Sequence, residues 1–482
     1  MKRLLIIPLL ATVANAAPVE FTTHIAPIIF QNCTSCHRPG EAAPFTLLTY
    51  GDVRKRGKMI AELTARKIMP PWHAETGHVE FLNARVLSAA QIATLQAWHQ
   101  QGMPEGEPAR LPKPPAFTAG WQLGQPDLIV KMEQPFKIYA EGRDIYRNFV
   151  FPLNLTEDKW VKAVEFRPSA RSVVHHALFY QDATGVARKL DAEDPLSGYR
   201  GVDRASRGFN PAGGWAVGSN VRALPEGLAY TYAKGTDLVV QTHFHPAGKA
   251  EEETSTMGFY FTDRPPTRTF VGVQLPPVFG EITGMDIPAG EKNYVVNSAF
   301  TLPVDVEAFA VAPHAHYLGK IMVMTATLPE GKVLTLLKIT NWDFAWQEQY
   351  TYKQHVPLPR GTRLEVAMSY DNSAENPKNP KSPPVRVKWG PNSTDEMGSI
   401  SLQVIPVREP DGPVLRAALR DFATDLLIDR VGAEPRRAVM AQAMLLQFDT
   451  NGNGKIDDAE RPAIRTFIQS SAMFPPQLNN TF

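Results

Sequence analysis

Two histidines one residue apart, His314 and His316, stand in Pro313-His314-Ala315-His316-Tyr317-Leu318-Gly319-Lys320. On an extended backbone that spacing puts both imidazoles on one face, where they can close on a single ion. Neutral imidazole serves copper, zinc and iron alike, so the pair by itself does not choose the metal. It has company: the adjacent pair His175-His176 and then His243 lie upstream, and Met397 lies downstream in Thr394-Asp395-Glu396-Met397-Gly398. Three imidazoles in one set, and two imidazoles with a thioether in another, read as two unlike copper sites. A thioether is soft and favours Cu(I), the state that can reduce dioxygen, whereas an all-nitrogen set suits holding and passing on one electron.

Two further motifs carry chemistry. The chain's two cysteines fall in Cys33-Thr34-Ser35-Cys36-His37, the attachment signature of a c-type haem, with two thioether links and His37 as proximal ligand. A structural disulfide or a thioredoxin-like redox pair would use the same cysteines. The following histidine and the lack of a βαβ context favour haem. The sixth iron ligand is assigned to Met69, in a loop stiffened by Pro70 and Pro71, with Met103, Met59, His73 and His78 as competitors. Near the C-terminus, residues 449–460 match an EF-hand loop at every ligand position. Asp449, Asn451, Asn453, Asp457 and Glu460 offer side chains, Lys455 its carbonyl, and Gly454 the sharp turn. A single such loop points to a structural calcium ion rather than a switch, the alternative being a degenerate loop that binds no metal.

The segments His175-His176-Ala177-Leu178-Phe179-Tyr180, Thr242-His243-Phe244, His314-Ala315-His316-Tyr317-Leu318-Gly319 and Asp395-Glu396-Met397 resemble, in type and order, the copper type II, ascorbate-dependent monooxygenases. That family includes the peptidylglycine alpha-hydroxylating and dopamine beta-monooxygenases. The resemblance covers more than half the chain. It implies two tandem antiparallel, jelly-roll-like β-sandwiches, the first holding an electron-storing copper on His175, His176 and His243. The second would hold, on His314, His316 and Met397, the copper that meets O2 and a small organic substrate. The resemblance thus implies hydroxylation of a C–H bond, with electrons from ascorbate or a redox protein and, in this chain, from the fused haem. The runner-up is a non-catalytic electron-transfer or copper-binding protein. The chain departs from the family in having no cysteine in the copper region, so the disulfides of the animal relatives are absent, and in carrying Ala177 where a bulkier residue commonly follows the histidine pair. No substrate-binding residue carries over.

Positioning these groups makes demands on the backbone. Adjacent residues of a regular strand face opposite ways, so His175 and His176 can share an ion only at a strand end or a bulge. His245 shares a face with His243 on an extended Thr242–Pro246 stretch and competes with it as a ligand. The acidic neighbours Asp395 and Glu396 argue for a partly exposed Met397. The Trp342–Gln347 aromatic stretch and the loop from Asp371 to Pro377 are read as core packing and turn rather than cleft lining.

The length of 482 residues calls for several domains. A basic start at Met1-Lys2-Arg3, a short apolar run and Ala14-Asn15-Ala16 read as a signal peptide over 1–16, hence an exported protein, periplasmic or extracellular, without a membrane anchor. A small all-α cytochrome c domain is expected over 17–103. Its helices run from about Asp52 to Lys67 and from a Ser88/Gln91 capping box to Gly102. A proline-rich linker follows over 104–120, then short alternating strands in sandwiches over 121–268 and 269–408, and a helical EF-hand region over 409–482. With 50 basic and 49 acidic residues and no long run of either sign, nothing favours nucleic acid or an anionic membrane as partner.

Overall fold

The computed structural model describes residues 18–41, 43–117, 120–201, 209–216, 221–433 and 438–470. The expected signal peptide lies outside them. The chain divides into two compact units.

The first unit runs to Trp72 and resumes over Arg85–Phe117. It is helical, with helices Ala26–Asn32, Tyr50–Arg54, Gly57–Ala65 and Ala89–Gln100. The last begins in a reciprocal capping box, Ser88 Oγ accepting from Gln91 N–H at 3.1 Å and Gln91 Oε1 from Ser88 N–H at 2.8 Å, and stops at Gly102, whose φ of 82° no β-carbon opposes. The helix expected from Asp52 to Lys67 is instead two helices parted at Arg56, whose φ/ψ of −120°/9° is not helical. Phe21, Ile25, Ile29, Val53, Leu95 and Trp98 form the core. The proline-rich stretch begins as part of this unit rather than as free linker, because the Pro104 carbonyl accepts from both Phe21 N–H and the Trp98 indole at 3.0 Å.

The second unit comprises His73–Ala84 and the chain from Thr118 onward. It is built from antiparallel sheets that pair as two β-sandwiches. In the first, one sheet has the order Leu128–Lys131, Thr256–Thr262, Lys159–Arg167, Tyr230–Tyr232, and the other Ile145–Phe151, Asp237–Phe244, Val174–Asp182, Asn210–Ala216. Inward residues of both sheets, among them Phe151, Val161, Phe179, Val240 and Phe259, share one core. In the second, Val271–Leu275, Gly398–Pro406, Val306–Ala315 and Tyr350–Leu358 form one sheet. Tyr294–Thr301, Arg363–Tyr370, Gly319–Thr327 and Val333–Ile339 form the other. Met322, Met324 and Met368 are buried in this core. Phe81 of the His73–Ala84 segment stacks on Tyr352 at 5.3 Å, and Glu75 N–H reaches the Lys338 carbonyl at 2.8 Å.

Helices Asp411–Ala433, Ala438–Phe448 and Arg461–Ser470 close the described chain, tied by Arg465 to Asp425 at 2.5 Å. No helix among the described residues is long and apolar enough to cross a membrane.

Candidate metal centres

The strand Val174–Asp182 pairs with Asp237–Phe244 in a register that slips between Val174 and His176, opposite Phe244 and His243. That bulge removes the alternation that would send His175 and His176 to opposite faces. Both rings reach His243, and the three Nδ1 atoms lie 3.1, 3.2 and 3.4 Å apart. An ion at the centre of such a triangle sits about 2 Å from each nitrogen, the length of a metal–imidazole bond. His243 Nε2 meets Asp144 Oδ2 at 3.0 Å, which puts the proton on Nε2 and leaves Nδ1 bare. Three ring nitrogens brought this close, one of them bare, fit a metal ion between them. Burial pushes the His175 pKa down to about 3 and holds those of His176 and His243 below the ordinary value, so all three rings are neutral and available near neutral pH. His245 does not join them. Its exposed ring binds the other oxygen of Asp144 at 2.8 Å.

His314 and His316 sit where Val306–Ala315 runs out against Gly398–Pro406. The register pairs His314 with Ser399 and Ala315 with Gly398, where the ladder ends, one residue before His316 on one strand and one residue after Met397 on the other. His314 Nδ1 donates to Gln347 Oε1 at 2.5 Å and His316 Nδ1 to the Asp395 carbonyl at 3.2 Å, leaving both Nε2 atoms for a ligand. Burial pushes the two pKa values down to about 4 and about 3. Trp342 donates its indole N–H to the His316 carbonyl at 3.1 Å. Met397 is half-buried. The acidic neighbour invoked to expose it is fully buried: Glu396 accepts the N–H groups of His316 at 2.5 Å, Met397 at 2.9 Å and Leu318 at 2.9 Å. Burial pushes its pKa up to about 8, although those three donors pull the other way.

One phenyl ring lies between the two sets. Phe344 is buried, with ring centroids 4.9 Å from His175 and 5.5 Å from His316, and it also touches Tyr317 at 4.6 Å. Tyr146 stacks on His243 at 4.3 Å. Asp144 and the clamping role of Glu396 had no signal in the sequence, whereas the Trp342–Gln347 stretch, read as core packing and turn, instead places Phe344 and Gln347 against the histidines. Only the meeting of distant strands gives these residues their roles. The loop from Asp371 is turn and packing, Asn372 Nδ2 donating to the carbonyls of Pro288 and Val385 at 2.9 and 2.8 Å.

In the helical unit Cys33 and Cys36 are unbridged and His37 Nδ1 donates to the Phe45 carbonyl at 3.1 Å, which leaves Nε2 for an iron. Met69 is half-buried in a bend. Met103 packs in the core and Met59 is exposed, while His73 and His78 belong to the other unit. In the 449–460 loop, Asp449 Oδ2 accepts Gly454 N–H at 2.8 Å and Glu460 Oε1 accepts Thr450 N–H at 2.7 Å, with φ at Gly454 of 75°. These contacts, with Lys455 N–H on Asn453 Oδ1 at 2.8 Å, hold the turn of the loop.

No protein-family model and no curated protein matches the chain. Among solved structures it is similar in part to the major capsid protein P2 of bacteriophage PM2, at 11% identity over 56% of this chain and 99% of that one, with a TM-score of 0.24. N-glycanase F (PNGase F) aligns at 12% identity over 58% and 95%, TM-score 0.26. The VP2 subviral particle of infectious bursal disease virus aligns at 8% over 59% and 74%, TM-score 0.19.

Proposed function

We propose that this chain is an exported, haem-linked dicopper monooxygenase that hydroxylates a C–H bond of a small organic substrate. The observation that supports the reading is the cluster of three imidazoles with Nδ1 turned inward, with Phe344 packed against both it and His316, and with the Nδ1 atoms of His314 and His316 engaged elsewhere. Copper in these sets supplies two one-electron steps, matching the balance in which a C–H bond, O2, two electrons and two protons give a C–OH group and water. His175, His176 and His243 hold the electron-storing ion, and Asp144 fixes the ring of His243. His314, His316 and Met397 hold the ion that meets O2, and Glu396 locks the backbones of two of these ligands to each other. Phe344, with Tyr317 packed on it, would fill the space beside His175.

Cys33, Cys36 and His37 would hold a haem, with Met69 proposed as the further ligand, and that group would supply one-electron transfer from an external donor, ascorbate or a redox protein. Calcium on Asp449, Asn451, Asn453, Lys455, Asp457 and Glu460 stiffens the C-terminal helices. The test is elemental analysis together with oxygen uptake. Two coppers and one iron per chain are expected, with reductant-dependent O2 consumption that His316→Ala abolishes. Two bound coppers with no O2 consumption in the presence of candidate substrates would favour a non-catalytic electron carrier.

A further inference from the structure

The inward nitrogens of the first histidine set are arranged for an ion, but its outer contacts lead to the other sandwich. His243 Nε2 meets Asp144 Oδ2 at 3.0 Å, and the same oxygen accepts the Ser393 hydroxyl at 2.6 Å. Ser393 is buried and belongs to the loop that runs through Asp395 and Glu396 to Met397. The second contact follows the same plan. The ring of His175 lies against Phe344, and three residues on in that loop Gln347 holds His314 Nδ1. One loop thus reaches the first set through Asp144 and runs on to Met397, and the other touches His175 directly and positions His314. A part-buried hydroxyl–carboxylate bond joining two sandwiches makes the ligand geometries of the two interdependent.

We infer that the two ligand sets bind metal cooperatively through Asp144 and Ser393. An ion on His243 Nδ1 orients that ring, the ring holds Asp144, and Asp144 holds Ser393 and with it the loop presenting Met397. Linkage makes the effect reciprocal: filling either set changes the affinity of the other by the same factor. The inference rests on the two-set reading above, with Asp144 and Ser393 as positioning residues that touch no ion themselves.

The test is calorimetric and needs no turnover. Silver(I), a closed-shell soft ion, is titrated into the full chain with the first set either empty or filled with zinc(II). In the native chain the silver affinity of the His314/His316/Met397 set is expected to differ about fivefold or more between the two conditions. The ratio should fall to one in Ser393→Ala, with zinc binding itself retained, and recover in Ser393→Thr, which keeps the hydroxyl. Equal silver affinities in the native chain, or an unchanged ratio in Ser393→Ala, would overturn the coupling while leaving the ligand sets standing. Silver binding that Met397→Leu does not weaken would instead remove the second set, and the coupling with it.

Discussion

The carboxylate of Glu396 accepts the backbone N–H of His316 at 2.5 Å, and through the same oxygen that of Met397 at 2.9 Å. One buried side chain therefore fixes two proposed copper ligands that stand 81 residues apart in the chain. Glu396→Gln puts an NH2 group against N–H donors on one side of this clamp. It is expected to cost about 1–3 kcal/mol of stability, measured by denaturant unfolding of the metal-free protein. An unchanged midpoint would mean the three contacts carry no weight.

The buried imidazoles make the metal-free fold sensitive to acid. The folded pKa of His316 lies at about 3, whereas the unfolded chain takes up its proton near pH 6.5, so stability is full above about 6.5 and declines as pH falls towards about 3. Each such ring contributes a slope of up to about 1.4 kcal/mol per pH unit. Unfolding free energies at neutral and mildly acidic pH should differ less in His316→Gln than in the native chain. Identical pH dependence in the two would sink this assignment.

His243 and His245 share Asp144 but only His243 faces the other two rings. His243→Ala should lose the first copper, and His245→Ala should keep it. Asp144→Ala should weaken that copper about 10- to 100-fold by releasing the ring of His243. Copper stoichiometry and the Cu(II) paramagnetic spectrum read all three.

Met69 and Met103 are separable by phenotype. Met69→Leu is expected to change the absorption and potential of the haem with little loss of fold. Met103→Leu, altering a side chain packed in the helical core, is expected to lower the melting temperature and leave the spectrum alone. The reverse pattern would reassign the sixth ligand.

Calcium removal by a chelator should lower the unfolding temperature of the native chain and have no effect on Glu460→Gln, whose loop has lost its bidentate carboxylate. An equal shift in both would point to calcium elsewhere.

The candidate ligand residues stand out by their types and spacing, and of these the structure brings His175, His176 and His243 together. The H-x-H pair, the histidine doublet, the C-x-x-C-H motif and the 449–460 loop are local patterns, and local patterns survive without knowledge of the fold. Short alternating runs likewise announced antiparallel strands, and Ser88 with Gln91 announced a helix start, because periodicity and capping depend on near neighbours. The helix expected from Asp52 to Lys67 is interrupted at Arg56, next to Gly57, a single glycine that a helix can tolerate and that therefore marks a break only weakly.

Chain order alone required that His175 and His176 break the strand's alternation if they were to share an ion, and it assigned Met397 to the second set by resemblance. Whether the first-set side chains could meet was decided by long-range pairing, the slip opposite His243, and the ladder that ends at Ala315 and Gly398 brings the chain segments of His316 and Met397 to one end of the sheet. Asp144, Ser393, Phe344 and Gln347 gained their roles only when separate strands and loops came into contact. Hydrogen bonds between residues more than a hundred positions apart, as between Asp144 and Ser393, leave no periodic trace in a sequence, since nothing about either neighbourhood encodes the distance the fold closes.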